Sequence, residues 1–92
     1  MNINSFEEFD NKSKAAGFDQ VIQRDWPPDS AVSQHTHAFD AFAVIVEGEM
    51  WLRCGGIARH IKQGETFTVP KGTPHSERYG SAGAKLWVAR RN

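Results

Sequence analysis

The sequence predicts an all-β sandwich or barrel with one short helix at its amino terminus, and three observations carry that expectation. Short runs of β-branched and aromatic residues recur from Phe18 onward. Turn residues punctuate them: Pro27-Pro28-Asp29-Ser30, Glu47-Gly48-Glu49, Gly55-Gly56, Lys62-Gln63-Gly64, Lys71-Gly72-Thr73-Pro74 and residues 80–83. Alternation of this kind, without a helical period, is the pattern of short strands joined by tight turns. The third observation is size. The chain has 92 residues, enough for one domain with a modest core, since a chain this short buries roughly 60–65% of its unfolded surface.

The helix is expected in an amino-terminal segment 1–17 that packs on, or is swapped over, a barrel domain 18–92. Ser5 and Glu8 have capping-box spacing, in which a Ser side chain accepts from one backbone amide and a Glu reaches back to another. Phe6 and Phe9, with Ala15 or Ala16, supply an apolar stripe, and Gly17 is placed to end the helix in a left-handed turn. Strands are expected at 18–25, 31–36, 42–46, 49–54, 57–61, 66–69, 75–79 and 85–90. Gly55-Gly56 marks a hairpin, because both central positions of a primed turn favour positive φ. In the run 42–46, Ala41, Ala43 and Ile45 share one face, while Phe42, Val44 and Val46 share the other. That second apolar face needs a cover, either the helix with the first strand or a second copy of the chain, and a homodimer is expected.

Eleven Lys and Arg balance eleven Asp and Glu, so no long-range field gathers nucleic acid or an anionic membrane. Cys54, the one cysteine, cannot form an internal disulfide or a thiolate metal cluster, which suits a reducing, cytoplasmic setting. It reads as a small apolar residue. Glu7, Glu8 and Asp10 stand where an export signal would be basic and then apolar. The apolar run around 42–46 falls far short of the ~20 residues that cross a bilayer.

The chemistry is concentrated in the histidines. His35 and His37 are two apart and so share one face of an extended strand. If a barrel brings the start of the His75 strand alongside, three neutral imidazoles converge on one transition ion; otherwise the pair is a surface feature. Pro70 and Gly72 form a rigid corner before His75. His60 has neither spacing nor neighbours that suggest chemistry and reads as surface.

Over residues 29–79 the sequence resembles the cupin superfamily. His35, His37 and Gly48 match the two histidines and closing glycine of the first cupin motif. Gly64, Pro70, Gly72 and His75 match the second. The resemblance implies an RmlC-like jelly-roll β-barrel, a double-stranded β-helix. It also implies one divalent transition metal (iron, manganese, nickel, zinc or copper) held by His35, His37 and His75 beside a small-molecule ligand. Three positions depart from the motifs: Asp29 replaces the opening Gly, Ala41 the Glu that is a ligand in many members, and Tyr79 the final Asn.

The missing Glu directs attention to other carboxylates. Asp40 can reach the metal only if the chain bulges between His37 and Phe42; its other reading is a rim carboxylate that orients a histidine or pairs with an Arg. Glu77 shares the face of His75 one strand step away, roughly 7 Å, and is expected in the pocket more than on the metal. Phe67 is expected to line the pocket, and Arg24 and Arg78 are candidate forks for an acidic substrate group. Two functions remain open. One is a metal-dependent oxygenase or isomerase on a compact, carboxylate-bearing or dicarbonyl molecule. The other is a non-catalytic module that binds or senses a small ligand.

Overall fold

The computed structural model describes residues 5–92; residues 1–4, the start of the segment 1–17, lie outside the described residues. Helix α1 spans Phe6–Ala15. Its first turn is capped as expected, with the Glu8 amide donating to the Ser5 hydroxyl at 3.1 Å. It ends in a Schellman turn: Gly17 adopts φ +98°, Gly17 N donates to Lys14 O, and Phe18 N donates to Ser13 O. Such a turn satisfies carbonyls that the helix itself cannot, and it needs a left-handed residue at this position. The buried stripe is Phe9 and Ser13. Ala15 and Ala16 are exposed, because the helix stops there and Ala16 is already its cap.

Six strands follow: β1 Gln20–Trp26, β2 Ala31–His35, β3 Asp40–Cys54, β4 Ile57–Lys62, β5 Thr66–Val69 and β6 His75–Arg91. The sequence predicts eight. The difference arises because the segments around Gly48 and residues 80–83 bend the chain without breaking its pairing. Antiparallel β3 and β6 stay paired from Asp40↔Arg91 to Cys54↔His75, with register shifts between Ile45 and Glu47 and between Gly48 and Met50. Each long strand therefore serves two sheets. The carboxyl half of β6 pairs with β1, and the amino half of β3 with β5. The amino half of β6 pairs with β2, and the carboxyl half of β3 with β4. Two four-stranded layers joined through two bent strands make the jelly-roll barrel.

The bend has a steric basis. Gly48 and Gly83 adopt φ +82° and +74°. A Cβ on Gly48 would collide with the Gly83 carbonyl oxygen, and one on Gly83 with the Trp26 carbonyl oxygen. The register shifts also change the inward phase of β3, from Ala41, Ala43 and Ile45 to Met50 and Leu52. A bulge inserts one residue and so exchanges the faces that follow it. These residues form the core between the layers with Ile61, Phe67, Val69, Tyr79 and Leu86.

The outward apolar face of β3 is covered by α1. Phe9 is 0% exposed and stacks on Phe42 with ring centroids 6.1 Å apart. Val44 and Ala89 complete this second cluster, with Val46 and Trp87 packed against it. The helix is thus one of the covers expected for Phe42, Val44 and Val46. Among the described residues, no helix is long and apolar enough to cross a membrane.

Candidate metal centre

His35 is the last residue of β2, His37 lies just beyond it, and His75 opens β6. The strand expected at 31–36 ends at His35, so His37 lies in the segment after it and the two do not share one extended strand as expected. What brings the first histidine inward is a bulge: Val32 pairs with Glu77 but His35 pairs with His75, so three steps on β2 match two on β6. Without the extra residue, Val32 and His35 would face opposite sides. The turn before β6 is tied to the same place, with Gly72 N donating to His37 O at 2.9 Å.

The candidate ligand nitrogens of His35, His37 and His75 all lie within 4.8 Å of one another. The His35 and His75 rings are fixed by their Nδ1 atoms, 2.8 Å from Ser33 O and 2.9 Å from Thr73 O. A carbonyl only accepts, so each Nδ1 carries the proton and each Nε2 turns a lone pair to the centre. His37 Nε2 lies 3.1 Å from His35 Nε2. Two nitrogens each about 2.1 Å from one ion and at right angles to each other lie about 3.0 Å apart, so this separation fits a shared transition ion. Burial, then the neighbouring His75 and His35, lowers the pKa of His37 below 6.5 and favours the neutral form that a ligand requires. His37 also stacks on Phe39, with centroids 4.6 Å apart. The donor set and its spacing fit a divalent metal.

Glu77 is closer to the centre than its strand position suggests. Its Oε2 lies 3.6 Å from His35 Nε2 and 3.8 Å from His75 Nε2, because the side chain folds back across the strand step. Its other oxygen accepts from the Tyr79 hydroxyl at 2.6 Å. Burial, and then the Glu77 charge, raises the pKa of Tyr79 far above 10.0, so the phenol keeps its proton and acts as donor. Trp26 stacks on Tyr79 at 4.8 Å.

Asp40 is not gathered into this group. Its Oδ1 accepts from Lys71 N at 2.7 Å and its Oδ2 pairs with Arg91 at 3.3 Å, the arrangement of a carboxylate spent on the turn before His75. The Lys71 amide, helped by Arg91, lowers the pKa of Asp40. Arg78 also lies elsewhere, 5.0 Å over the Trp51 ring, because alternation along β6 turns it to the side opposite Glu77 and Tyr79. His60 is exposed, stacked on Trp51 and 2.6 Å from a Glu49 oxygen.

The three histidines open on a cavity of about 170 Å³ lined also by Glu77, Phe67, Trp26, Arg24 and Arg90. Phe67, Glu77 and Arg24 are pocket residues expected from the sequence. Arg90 is not, since on paper it belongs to a basic chain end.

A family model described as the Cupin domain matches residues 23–88. The chain belongs to the cupins. Solved cupin-fold structures agree in shape at low identity. They include KdgF from Halomonas sp. (TM-score 0.68, 16% identity, covering 78% of this chain and 67% of that one) and an RmlC-like cupin from Shewanella frigidimarina (0.69, 18%, 79% and 66%). Oxalate decarboxylase from Bacillus subtilis, described with Mn(II) centres, aligns at TM-score 0.71 and 19% identity over 78% of this chain and 20% of its own. At these identities the likeness is one of fold. The chain spans from a fifth to about two thirds of the lengths of these proteins. No curated protein matches the sequence.

The three departures from the cupin motifs each have a local account. Asp29, in place of a glycine, adopts φ 58°, a region that Asp enters more readily than most residues. Ala41, in place of the Glu, is buried at the pocket wall. Tyr79, in place of the Asn, anchors Glu77.

Proposed function

We propose that this cupin holds one divalent transition ion through Nε2 of His35, His37 and His75, and that a compact small molecule binds beside it in the barrel. The observation that carries this reading is the convergence of three imidazole nitrogens in a cavity, with two rings pinned through Nδ1 to backbone carbonyls. Iron, manganese, nickel, zinc and copper all accept such donors; related folds are described with Mn(II), and in HppE with Fe(II). Such an ion supplies Lewis acidity or, if redox-active, dioxygen chemistry at its open positions. That range includes the oxygenase and isomerase activities known among cupins.

The remaining roles belong to this chain's side chains. Glu77 places one negative charge against two of the imidazoles and offsets the charge of a dication, from β6 instead of from β3 where Ala41 stands. Its Oε2 is also the group in reach to accept a proton from a bound ligand, while Tyr79 holds Oε1. Phe67 and Trp26 exclude water. A cavity of about 170 Å³ falls below the ~300 Å³ of pockets for drug-sized molecules, which limits the ligand to a few heavy atoms.

Metal analysis of tag-free protein tests the reading. One ion per chain is expected, and its loss in His37→Ala. Wild-type protein without a stoichiometric ion overturns it. Oxygen uptake with simple diketones then separates turnover from ligand binding alone.

A further inference from the structure

The wall of the pocket carries two arginines that no carboxylate answers. Arg24 on β1 and Arg90 on β6 both line the cavity. Each guanidinium is held over an aromatic ring, Arg24 at 4.8 Å from the Trp26 centroid and Arg90 at 4.5 Å from that of Phe39. Stacking of this kind positions a guanidinium without using up its N–H donors. Among the described residues neither side chain has an ion pair, although Asp40 pairs with the adjacent Arg91. Arg90 Nε is buried with no hydrogen-bond partner. A buried, unpaired donor costs free energy unless a ligand satisfies it. Burial and the nearby Arg24 charge both act against the charge on Arg90, the effect of two cations sharing one wall. Glu77 is the one carboxylate lining the same cavity, and it is held by Tyr79.

We propose that Arg24 and Arg90 form an anion subsite in the same cavity as the three histidines, and that the ligand of this cupin is a small dicarboxylate or keto acid. One carboxylate or keto oxygen faces the His35–His37–His75 centre, and a second carboxylate is received by the two guanidiniums. Arg suits this role because its planar fork meets both oxygens of a carboxylate. The inference rests on the metal-centre reading for the first group and on the arginines alone for the second.

The test titrates cobalt(II)-loaded protein with oxalate, malonate, succinate, glutarate, acetate and the neutral malonamide, read by calorimetry and by the visible cobalt spectrum. One dicarboxylate length is expected to bind tightest, with malonamide much weaker than malonate. Arg24→Gln and Arg90→Gln are each expected to weaken the best dicarboxylate by about ten- to hundredfold, the value of a charge-assisted hydrogen bond. Acetate affinity and cobalt content should stay unchanged, which also shows that the variants are folded. Equal binding of malonamide and malonate, or unchanged dicarboxylate affinity in both variants, overturns the subsite. If cobalt does not bind, the metal-centre reading fails by itself. The same titration of metal-free protein then decides the subsite: binding lost in Arg90→Gln supports it, and no binding by wild type overturns it.

Discussion

The hydroxyl of Tyr79 donates to Glu77 at 2.6 Å, and through this bond a residue of the core sets the direction of the carboxylate in the metal pocket. Tyr79 is 1% exposed, so its hydroxyl has no water to fall back on. Tyr79→Phe removes the donor and leaves Glu77 free to turn. The expected result is a loss of about 1–3 kcal/mol of stability and of about tenfold in metal affinity, measured by denaturant unfolding and chelator competition. Unchanged metal affinity would show that Glu77 does not act on the ion.

Acid should release the metal and weaken the fold together. The pKa of His37 lies below 6.5 in the folded chain, whereas the unfolded chain titrates near the ordinary value. Below that ordinary value the unfolded state takes up more protons, so stability falls as pH drops under about 6.5. Protons would compete for the nitrogen that His37 offers to an ion. His37→Ala should flatten the pH dependence of stability in this window, as read by thermal melts of metal-free protein between pH 5 and 8.

Asp40 acts in the same direction at lower pH. Its pKa is lowered from 3.8 by the Lys71 amide and Arg91, so its contribution is present above the unfolded pKa and lost as pH falls through the folded one. Asp40→Ala should therefore be less stable than wild type at neutral pH and equal to it in strong acid. Metal content at pH 7 should be kept, since Asp40 serves the turn before His75. Loss of the ion in this variant at pH 7 would make Asp40 a ligand after all.

Gly48→Ala should be among the most damaging single-methyl additions in the chain. The added Cβ meets the Gly83 carbonyl oxygen, at a φ of +82° that costs a non-glycine residue about 1–3 kcal/mol even without a clash. Urea unfolding should show a loss at or above that range. Gly64→Ala, also at positive φ but with open space around it, should lose less.

The helix is a structural lid over β3. Phe9→Ala removes a fully buried ring and should cost about 3–5 kcal/mol, a large part of the 5–15 kcal/mol typical of a domain. Sedimentation of this variant should show association through the uncovered Phe42 and Val44, at concentrations where wild type shows less.

Much of the fold and part of the site were legible from local rules. The Ser5 cap, the Gly17 stop, the Gly55-Gly56 hairpin and the inward phase of Ala41, Ala43 and Ile45 depend on neighbours a few residues away, and each appears as read. His35, His37 and His75 were joined into one site by the resemblance of their spacing, with that of Gly48, Gly64, Pro70 and Gly72, to the cupin motifs. The strand count was not legible, because Gly48 looks the same whether it ends a strand or bends one. Pairing with β6 makes it a bend.

What the sequence alone determined is a small β-barrel whose His35, His37 and His75 stand where cupin motifs place theirs, with no carboxylate at position 41. Tertiary structure decided which carboxylate stands beside them. Asp40 follows His37 closely, yet its oxygens go to Lys71 and Arg91 on strands and turns far along the chain. Glu77 is farther in strand steps, yet the β2 bulge opposite it and the Tyr79 hydroxyl turn it to His35 and His75. Arg24 and Arg90 line one cavity for the same reason. Which side chains share a cavity depends on register and curvature between strands distant in sequence, and no local pattern records either.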